Sequence, residues 1–296
     1  MISVLILTRN EEADLPQCLQ SVAWCDDVHV FDSHSTDATV EIATRAGAKV
    51  TQRVFDNFAA QRNAALEQLP FKHRWILILD ADERIPRDLA AEMHLFVGEA
   101  PDRVAAARLR RRDFLYGTWL KHAQLSPYYV RLVRKSRVRY EREVNEVLKV
   151  DGEIVPLHEP FDHYPFSKGM WHWIAKHNVY STMEAEQFLK VQRGMIQGSV
   201  RRALFDRDFN ERRVHQKALF YRMPFRPLLR FLYSYFVRMG MLDGRAGLTY
   251  ALLQGFYEYF IVLKTRELEA ERSVPTTQAP AQASVVHAST PPLTPG

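Results

Sequence analysis

Two aspartates follow a strongly apolar stretch of the chain, W-I-L-I-L-D-A-D-E-R at residues 75–84. The run from Ile76 to Leu79 has no polar alternation, which is typical of a strand buried on both faces of a parallel sheet. Asp80 and Asp82 come directly after this run. If the extended backbone continues for two more residues, both carboxylates project to one side and could bind one hard divalent cation, Mg²⁺ or Mn²⁺.

Three further motifs place polar side chains where predicted strands meet helices. They read L-T-R-N-E-E, V-F-D-S-H-S-T-D-A-T and F-A-A-Q-R-N-A-A. Open α/β sheets bind ligands at this edge, and a nucleoside diphosphate needs polar groups for its base and ribose and a cation for its phosphates. Taken singly, each motif also fits a turn former, a solvated helix residue or a loop. Together they predict a donor site formed by Thr8, Asn10, Glu12, Asp32, Arg62, Asn63 and Asp80.

The elements that must position these residues alternate as in a nucleotide-binding α/β fold. We predict strands at 3–7, 28–31, 49–52 and 75–80, and helices at 15–22, 37–46 and 58–68. Short basic segments between 104 and 160 predict antiparallel strands at one side of the sheet. From 171 to 272 the apolar residues recur at three- and four-residue intervals, which predicts helices.

Composition limits the class of protein. The 296 residues are 47% hydrophobic, and 40 Lys and Arg against 35 acids give a net charge of +5, which favours phosphate or anionic-lipid partners. Two cysteines, Cys18 and Cys25, exclude a disulfide framework and a four-cysteine zinc site, so a reducing cytosol is the simplest setting. We expect no secretion signal and no membrane-spanning helix. Basic residues are dispersed among apolar ones, so we expect no nucleic-acid partner.

One helical stretch, residues 220–238, carries arginines and no acid beside a dense aromatic and leucine face. This pattern fits a helix lying in the plane of an anionic membrane surface, and it fits equally a core helix with solvated arginines. The glycines of the following segment, residues 240–247, predict a sharp turn between helices with Asp243 as an N-cap. Such a turn would let two amphipathic helices lie side by side on a bilayer.

The motifs V-L-I-L-T-R-N-E-E, V-F-D-S-H-S-T-D-A-T, F-A-A-Q-R-N-A-A and L-D-A-D-E make the chain resemble the family 2 glycosyltransferases of the GT-A fold. The resemblance covers about residues 1–265. Within the family, R-E-V-N-E, F-D-H-Y and the arginine-rich segment look most like bacterial lipopolysaccharide-core and surface-polysaccharide glycosyltransferases.

The resemblance implies inverting transfer of a sugar from a nucleotide donor, usually a UDP-sugar such as UDP-glucose, to a lipid-linked saccharide at the inner face of the cytoplasmic membrane. Thr8, Asn10, Glu12 and Asp32 would then lie near the uridine. Arg62 and Asn63 would lie toward ribose and phosphate. Asp80 and Asp82 would form the motif for Mn²⁺ or Mg²⁺, with Asp82 the more direct ligand.

Inversion requires a base within hydrogen-bond reach of the acceptor hydroxyl. Relatives carry Val-His-Glu after the metal motif, and this chain carries V-N-E at 144–146, so Glu146 is the predicted catalytic base. Asp113 and Glu159 are weaker candidates. His163 could complete a metal shell or be a hydrogen-bonded core residue.

The resemblance also implies a domain plan. Residues 1–165 would form the GT-A domain, 166–272 a helical region that binds the membrane or the acceptor, and 273–296 a disordered tail poor in charge. Two alternatives stay open at this point. One is a membrane scaffold on a degenerate nucleotide fold, and the other is a sugar nucleotidylyltransferase.

Overall fold

The computed structural model describes residues 1–141, 147–192, 199–205, 209–221 and 223–273. The chain divides into two structural units. Of the described residues, the first unit comprises those in 1–121 and 125–169, and the second comprises 122–124 and those in 170–273.

The first unit is built on parallel strands connected by helices. The strands are β1 (Ile2–Thr8), β2 (Val28–Asp32), β3 (Lys49–Gln52) and β4 (Trp75–Asp80), and the helices are α1 (Leu15–Ser21), α2 (Thr39–Arg45), α3 (Phe58–Gln68) and α4 (Arg87–Glu99). β1 pairs with β2 on one side and with β4 on the other. The predicted elements are confirmed, and each observed end lies within two residues of its prediction.

β4 is buried on both faces, as its sequence predicts. Leu77 and Leu79 belong to a core cluster with residues of α1 and α4, whereas Ile76 and Ile78 belong to a cluster with residues of α3. A slip of one residue would exchange these two sets, so the packing fixes the register of β4. The register in turn places Asp80 at the carboxyl edge of the sheet.

Further strands extend the same sheet beyond β4. They are β5 (Glu83–Arg84), β6 (Val104–Leu115), β7 (Thr118–Trp119), β8 (Tyr128–Arg134) and β11 (Glu153–His163), while β9 (Val138–Glu141) and β10 (Val147–Val150) form a separate hairpin. The prediction of antiparallel strands is confirmed for β8, which runs against both β4 and β6. β11 runs antiparallel to β5, as predicted, but parallel to β6. The prediction is wrong for that second pair, because the intervening strands return the chain to the start of β6.

The second unit is helical, as predicted. It contains α5 (Gly169–Gln192), α6 (Val200–Phe205), α7 (Phe209–Phe220), α8 (Arg226–Leu232) and α9 (Gly244–Ser273). A short π-helix at Tyr233–Val237 and a 3₁₀-helix at Gly240–Asp243 connect α8 to α9. Within the described ranges, none of the helices combines the length and the apolar character needed to cross a bilayer.

The turn between α8 and α9 requires glycine. A Cβ on Gly240 would lie 2.6 Å from the carbonyl oxygen of Ser234, and one on Gly247 would lie 1.9 Å from that of Gly240. The predicted sharp turn is therefore present. The Asp243 carboxylate does not cap α9 as predicted, because it accepts the backbone N–H groups of His122 and Ala123 at 2.9 and 2.7 Å.

Candidate active site

Asp32 closes β2 and is fully buried. One of its oxygens accepts the Thr8 hydroxyl at 2.9 Å and the Ser35 hydroxyl at 2.5 Å, and the other accepts the Ser35 N–H and the Gln52 amide at 2.9 and 3.0 Å. A buried carboxylate is stable when its oxygens are hydrogen-bonded in this way. Thr8 and Asp32, both predicted to lie near the base, thus hold the ends of β1 and β2 together, and their contact with a base stays a prediction.

Asn10 and Glu12 connect the loops that follow β1 and β2. The Asn10 side-chain oxygen accepts the Thr36 N–H at 2.8 Å, and a Glu12 carboxylate oxygen accepts the Ala38 N–H at 3.1 Å. Asn10 has a φ of +55°, a left-handed conformation that asparagine tolerates better than most residues. The predicted uridine-side residues therefore form one continuous hydrogen-bonded rim at the sheet edge.

Asp80 is held by two arginines from distant segments. Arg62 contacts one carboxylate oxygen at 3.2 Å, and Arg131 on β8 contacts the other at 2.8 Å. Arg131 also binds Glu83, which accepts the Asp80 N–H at 3.0 Å. Burial opposes ionisation of Asp80, but the charges of Arg131 and Arg62 outweigh it and lower the pKa of this carboxyl group.

Asp82 has a different neighbour. His163 Nε2 lies 3.1 Å from an Asp82 carboxylate oxygen, and His163 Nδ1 lies 2.5 Å from Asp113. Asp113 is also 3.0 Å from Arg111, so its charge is shared between two partners. Burial disfavours a charged imidazole, yet the charge of Asp82 and the hydrogen bonds to Asp113 and Asp82 raise the pKa of His163 to about 9.

The Asp82 and His163 pair offers two donor types that divalent ions accept, a carboxylate oxygen and an imidazole nitrogen. In the structure the Asp82 oxygen and His163 Nε2 lie 3.1 Å apart, the distance of a hydrogen bond from a protonated imidazole. Among the described residues, no group of three or more His, Cys, Asp or Glu side chains could hold a metal ion. Asp82 and His163 would therefore hold a divalent ion only after His163 lost its proton and with further ligands from the substrate.

Asn63 and Arg62 share α3 but serve different partners. The Asn63 amide pairs with the Tyr140 backbone, donating to its carbonyl at 2.8 Å and accepting its N–H at 2.9 Å. Asn63 also lines a cavity of about 620 Å³ with Arg74 and Arg134, near the edge where β4 begins. This cavity holds neither Asp80 nor Asp82, so the chemistry of the motif lies elsewhere. Contact of Asn63 with ribose or phosphate stays a prediction.

The predicted base, Glu146, lies outside the described residues, as does the rest of V-N-E. Of its rivals, Asp113 is buried against His163 and Arg111, where it orients the imidazole. Glu159 is exposed, and its N–H donates to Glu92 at 2.8 Å. Asp113 is too buried to take a proton from an acceptor hydroxyl. The contacts of Glu159 do not place its carboxylate beside Asp82.

Sequence reasoning missed two residues of this edge, Arg131 and Glu83, and placed Glu11 at the strand-to-helix junction without giving it a role. Arg131 lies 51 residues from Asp80 and belongs to a segment whose basic character gave no pairing signal. Glu83 directly follows the D-A-D motif and could have been included on that ground. Glu11 is buried and paired with Lys168 at 2.6 Å, and burial raises the pKa of Glu11 to about 7 against the charge of that lysine.

Comparison with known families decides the class of protein. The profile described as Glycosyl transferase family 2 matches residues 3–152, which span β1 through β10. The chain belongs to the family 2 glycosyltransferases. The alternatives of a scaffold and of a nucleotidylyltransferase are thereby set aside, and the parallel sheet with its helical C-terminal part is the GT-A architecture that the resemblance implied.

Relatives of this glycosyltransferase include named and unnamed enzymes. A lipopolysaccharide core biosynthesis glycosyltransferase of Rhizobium meliloti is 26% identical over 93% of this chain and 95% of its own. An uncharacterized glycosyltransferase of Rickettsia bellii is 30% identical over 64% of this chain and 68% of its own. Glucosyl-3-phosphoglycerate synthase of Mycobacterium tuberculosis, solved with Mn²⁺ and UDP-glucose, is 21% identical over 38% of this chain and 44% of its own, with a TM-score of 0.33. That last likeness is too partial to support an inference.

Proposed function

We propose that this family 2 glycosyltransferase transfers a sugar, with inversion, from a UDP-sugar such as UDP-glucose to a lipid-linked saccharide such as lipopolysaccharide core or a polysaccharide precursor. The acceptor class is supported by the Rhizobium meliloti relative, which aligns along 93% of this chain. That alignment spans both structural units, so it is not limited to the donor-binding part.

The observation that carries the proposal is the Asp82 and His163 pair at the carboxyl edge of the sheet. A divalent ion held there would neutralise charge on the diphosphate leaving group. Asp80 would keep the β4 terminus in place through Arg62 and Arg131, the second of which also pairs with Glu83. Asp113 would keep the imidazole of His163 turned toward Asp82.

The remaining chemistry is a proton transfer. Direct inversion requires that the acceptor hydroxyl lose its proton to a base on the side of the sugar opposite the diphosphate. We assign this role to Glu146. Thr8, Asn10, Glu12 and Asp32 form the rim that would receive the uridine.

The proposal includes location and domain roles. The enzyme would act in the cytoplasm at the inner face of the membrane, where a lipid-linked acceptor is accessible. Residues 1–165 would bind the donor, residues 166–272 would bind the membrane or the acceptor, and residues 273–296 would be dispensable for transfer.

Transfer assays test the proposal. Purified protein is incubated with UDP-sugars, Mn²⁺ and a lipopolysaccharide-core or lipid-linked acceptor, and the product is analysed by mass spectrometry. Asp82→Ala and Glu146→Gln should abolish transfer, whereas Glu159→Gln, a matched change at an exposed carboxylate, should retain it. Full activity in both Asp82→Ala and Glu146→Gln would refute the assigned mechanism.

A further inference from the structure

The second unit carries an extended apolar surface made by α8, the turn after it, and α9. We call this surface the α8–α9 face. Phe225 is 79% exposed, Val237 71% and Leu242 58%. Its other exposed members are Leu228, Leu232, Tyr233, Phe236, Met239, Met241, Leu248, Leu252, Phe256, Tyr259 and Leu263. On α9 the exposed positions 248, 252, 256, 259 and 263 recur at intervals of three or four residues, so they form one stripe along the helix. Exposed apolar residues grouped in this way mark an interaction site.

The charges of the α8–α9 face have one sign. Residues 225–263 contain two acids, Asp243 and Glu258, and both are buried. Asp243 accepts the backbone N–H groups of residues 122 and 123, and Glu258 lies 3.4 Å from the buried Arg226. Within this fully described stretch, no acid is therefore available at the surface.

The cations of this stretch keep their charge. Arg230 donates to the neutral Gln254 side chain at 2.8 Å, Arg238 donates to the Gln124 carbonyl at 3.4 Å, and Arg245 is exposed. None of these contacts neutralises a guanidinium. The face thus combines apolar side chains with positive charge, and this combination complements a surface that is apolar inside and anionic outside.

We propose that the α8–α9 face docks on an anionic lipid bilayer and lies in its plane. Its apolar side chains enter the boundary between headgroups and acyl chains, and its arginines bind the lipid phosphates. The inference deepens the proposed function and rests on it for its purpose, since a lipid-linked acceptor would be met at this face. The sequence predicted two amphipathic helices side by side on a bilayer, and the structure identifies them as α8 and α9 and shows which of their side chains are exposed.

A second copy of the chain fits the face less well than a bilayer. In a twofold dimer the same patch meets itself, so the three arginines would meet arginines without any acid to pair with them. A bilayer has no such conflict, because long cationic side chains can extend to the phosphate level while their neighbours insert. The turn at Tyr233–Asp243 places several of the exposed apolar residues at one end of the α8–α9 pair, where insertion would be deepest.

Vesicle sedimentation tests the proposal with no sugar substrate present. Full-length protein is mixed with phosphatidylcholine vesicles or with vesicles containing 30% phosphatidylglycerol. We expect binding to the anionic vesicles that weakens as salt rises. Phe236→Ser with Val237→Ser and Leu242→Ser should reduce the partition coefficient at least about tenfold, because three inserted side chains are removed.

Matched controls distinguish binding through the α8–α9 face from non-specific hydrophobic binding. Phe205 on α6 is 78% exposed, almost the same as Phe225, and lies outside the face. Phe225→Ser should weaken binding, whereas Phe205→Ser should not. Arg245→Gln should weaken binding to anionic vesicles about fivefold, whereas Arg266→Gln, farther along α9, should have little effect.

The outcomes that would contradict the membrane proposal can be told apart from a failure of UDP binding at the donor site. Absence of wild-type binding to anionic vesicles, or equal binding by the triple variant, would overturn the proposal. Light scattering that shows a dimer lost in the triple variant, without vesicle binding, would assign the face to a second copy instead. UDP binding measured on the same samples reports the donor site independently.

Discussion

Asp80 and Asp82 are separated by a single alanine, but the structure surrounds them with different partners. Arg62 and Arg131 each contact one oxygen of Asp80, so its charge is already balanced by the protein. Asp82 accepts a hydrogen bond from His163, whose nitrogen could bind an ion in common with it once it has lost its proton. The comparison indicates that the first aspartate anchors the end of β4 and the second is the one suited to hold a cation.

Replacing Arg131, which contacts Asp80, should have the largest effect on stability. Arg131→Met leaves the buried Glu83 without its partner, whereas Asp80, whose side chain is 31% exposed, keeps Arg62. We expect the free energy of unfolding to fall by about 3–5 kcal/mol, the cost of breaking the buried ion pair at Glu83. Urea unfolding would measure this loss.

The control is Arg139→Met, an exposed arginine on β9. Adding Glu83→Gln to Arg131→Met should restore part of the stability, because the buried carboxylate left without its partner is removed. A loss under about 1 kcal/mol in Arg131→Met would mean that the arginine does not balance these carboxylates.

A third carboxylate at the same edge, Glu11, makes the free energy of unfolding depend on pH. Burial raises the pKa of Glu11 from 4.5 to about 7. Between these two pH values the folded state binds more protons than the unfolded chain, so the free energy of unfolding should fall as the pH rises through this window. The fall attributable to Glu11 would be up to about 3 kcal/mol.

Denaturant unfolding of the wild type and of Glu11→Gln from pH 5 to pH 8 measures this contribution. The variant should show a shallower downward slope than the wild type, because the raised pKa values of Glu83 and His163 keep their own contributions. Glu159→Gln, at an exposed position, should keep the wild-type slope. Identical slopes in the wild type and Glu11→Gln would show that Glu11 ionises at no cost in the folded protein.

The sequence predicted the strands and helices that form this edge better than the contacts between their side chains. The alternation of strands and helices up to Asp80 follows from local periodicity, and α3 was predicted at its observed bounds, Phe58–Gln68. The two arginines that bind Asp80 lie 18 and 51 residues from it in the sequence. No local pattern encodes which arginine contacts which carboxylate. His163 was considered as a ligand, but only the pairing of β11 with β5 places it opposite Glu83, next to the motif.

The smallest predicted effect concerns the residue behind His163. Asp113→Asn should weaken Mn²⁺ binding in the presence of UDP about 10–100-fold, because the imidazole loses the carboxylate that orients it. Asp162→Asn is a matched control, since Asp162 precedes His163 on β11 and pairs with Arg112 at 2.6 Å. Manganese titration followed by electron paramagnetic resonance would measure both. Equal affinities in Asp113→Asn and the wild type would remove Asp113 from the site.

The most direct test of the difference between Asp80 and Asp82 is calorimetric titration with UDP, with and without Mn²⁺, of the wild type, Asp82→Asn and Asp80→Asn. We expect binding by the wild type to depend on Mn²⁺ and Asp82→Asn to lose that dependence, with an affinity at least about 100-fold lower. Asp80→Asn should keep the dependence. Binding by Asp82→Asn that still requires Mn²⁺ would contradict the account, because the ion would then be held without Asp82.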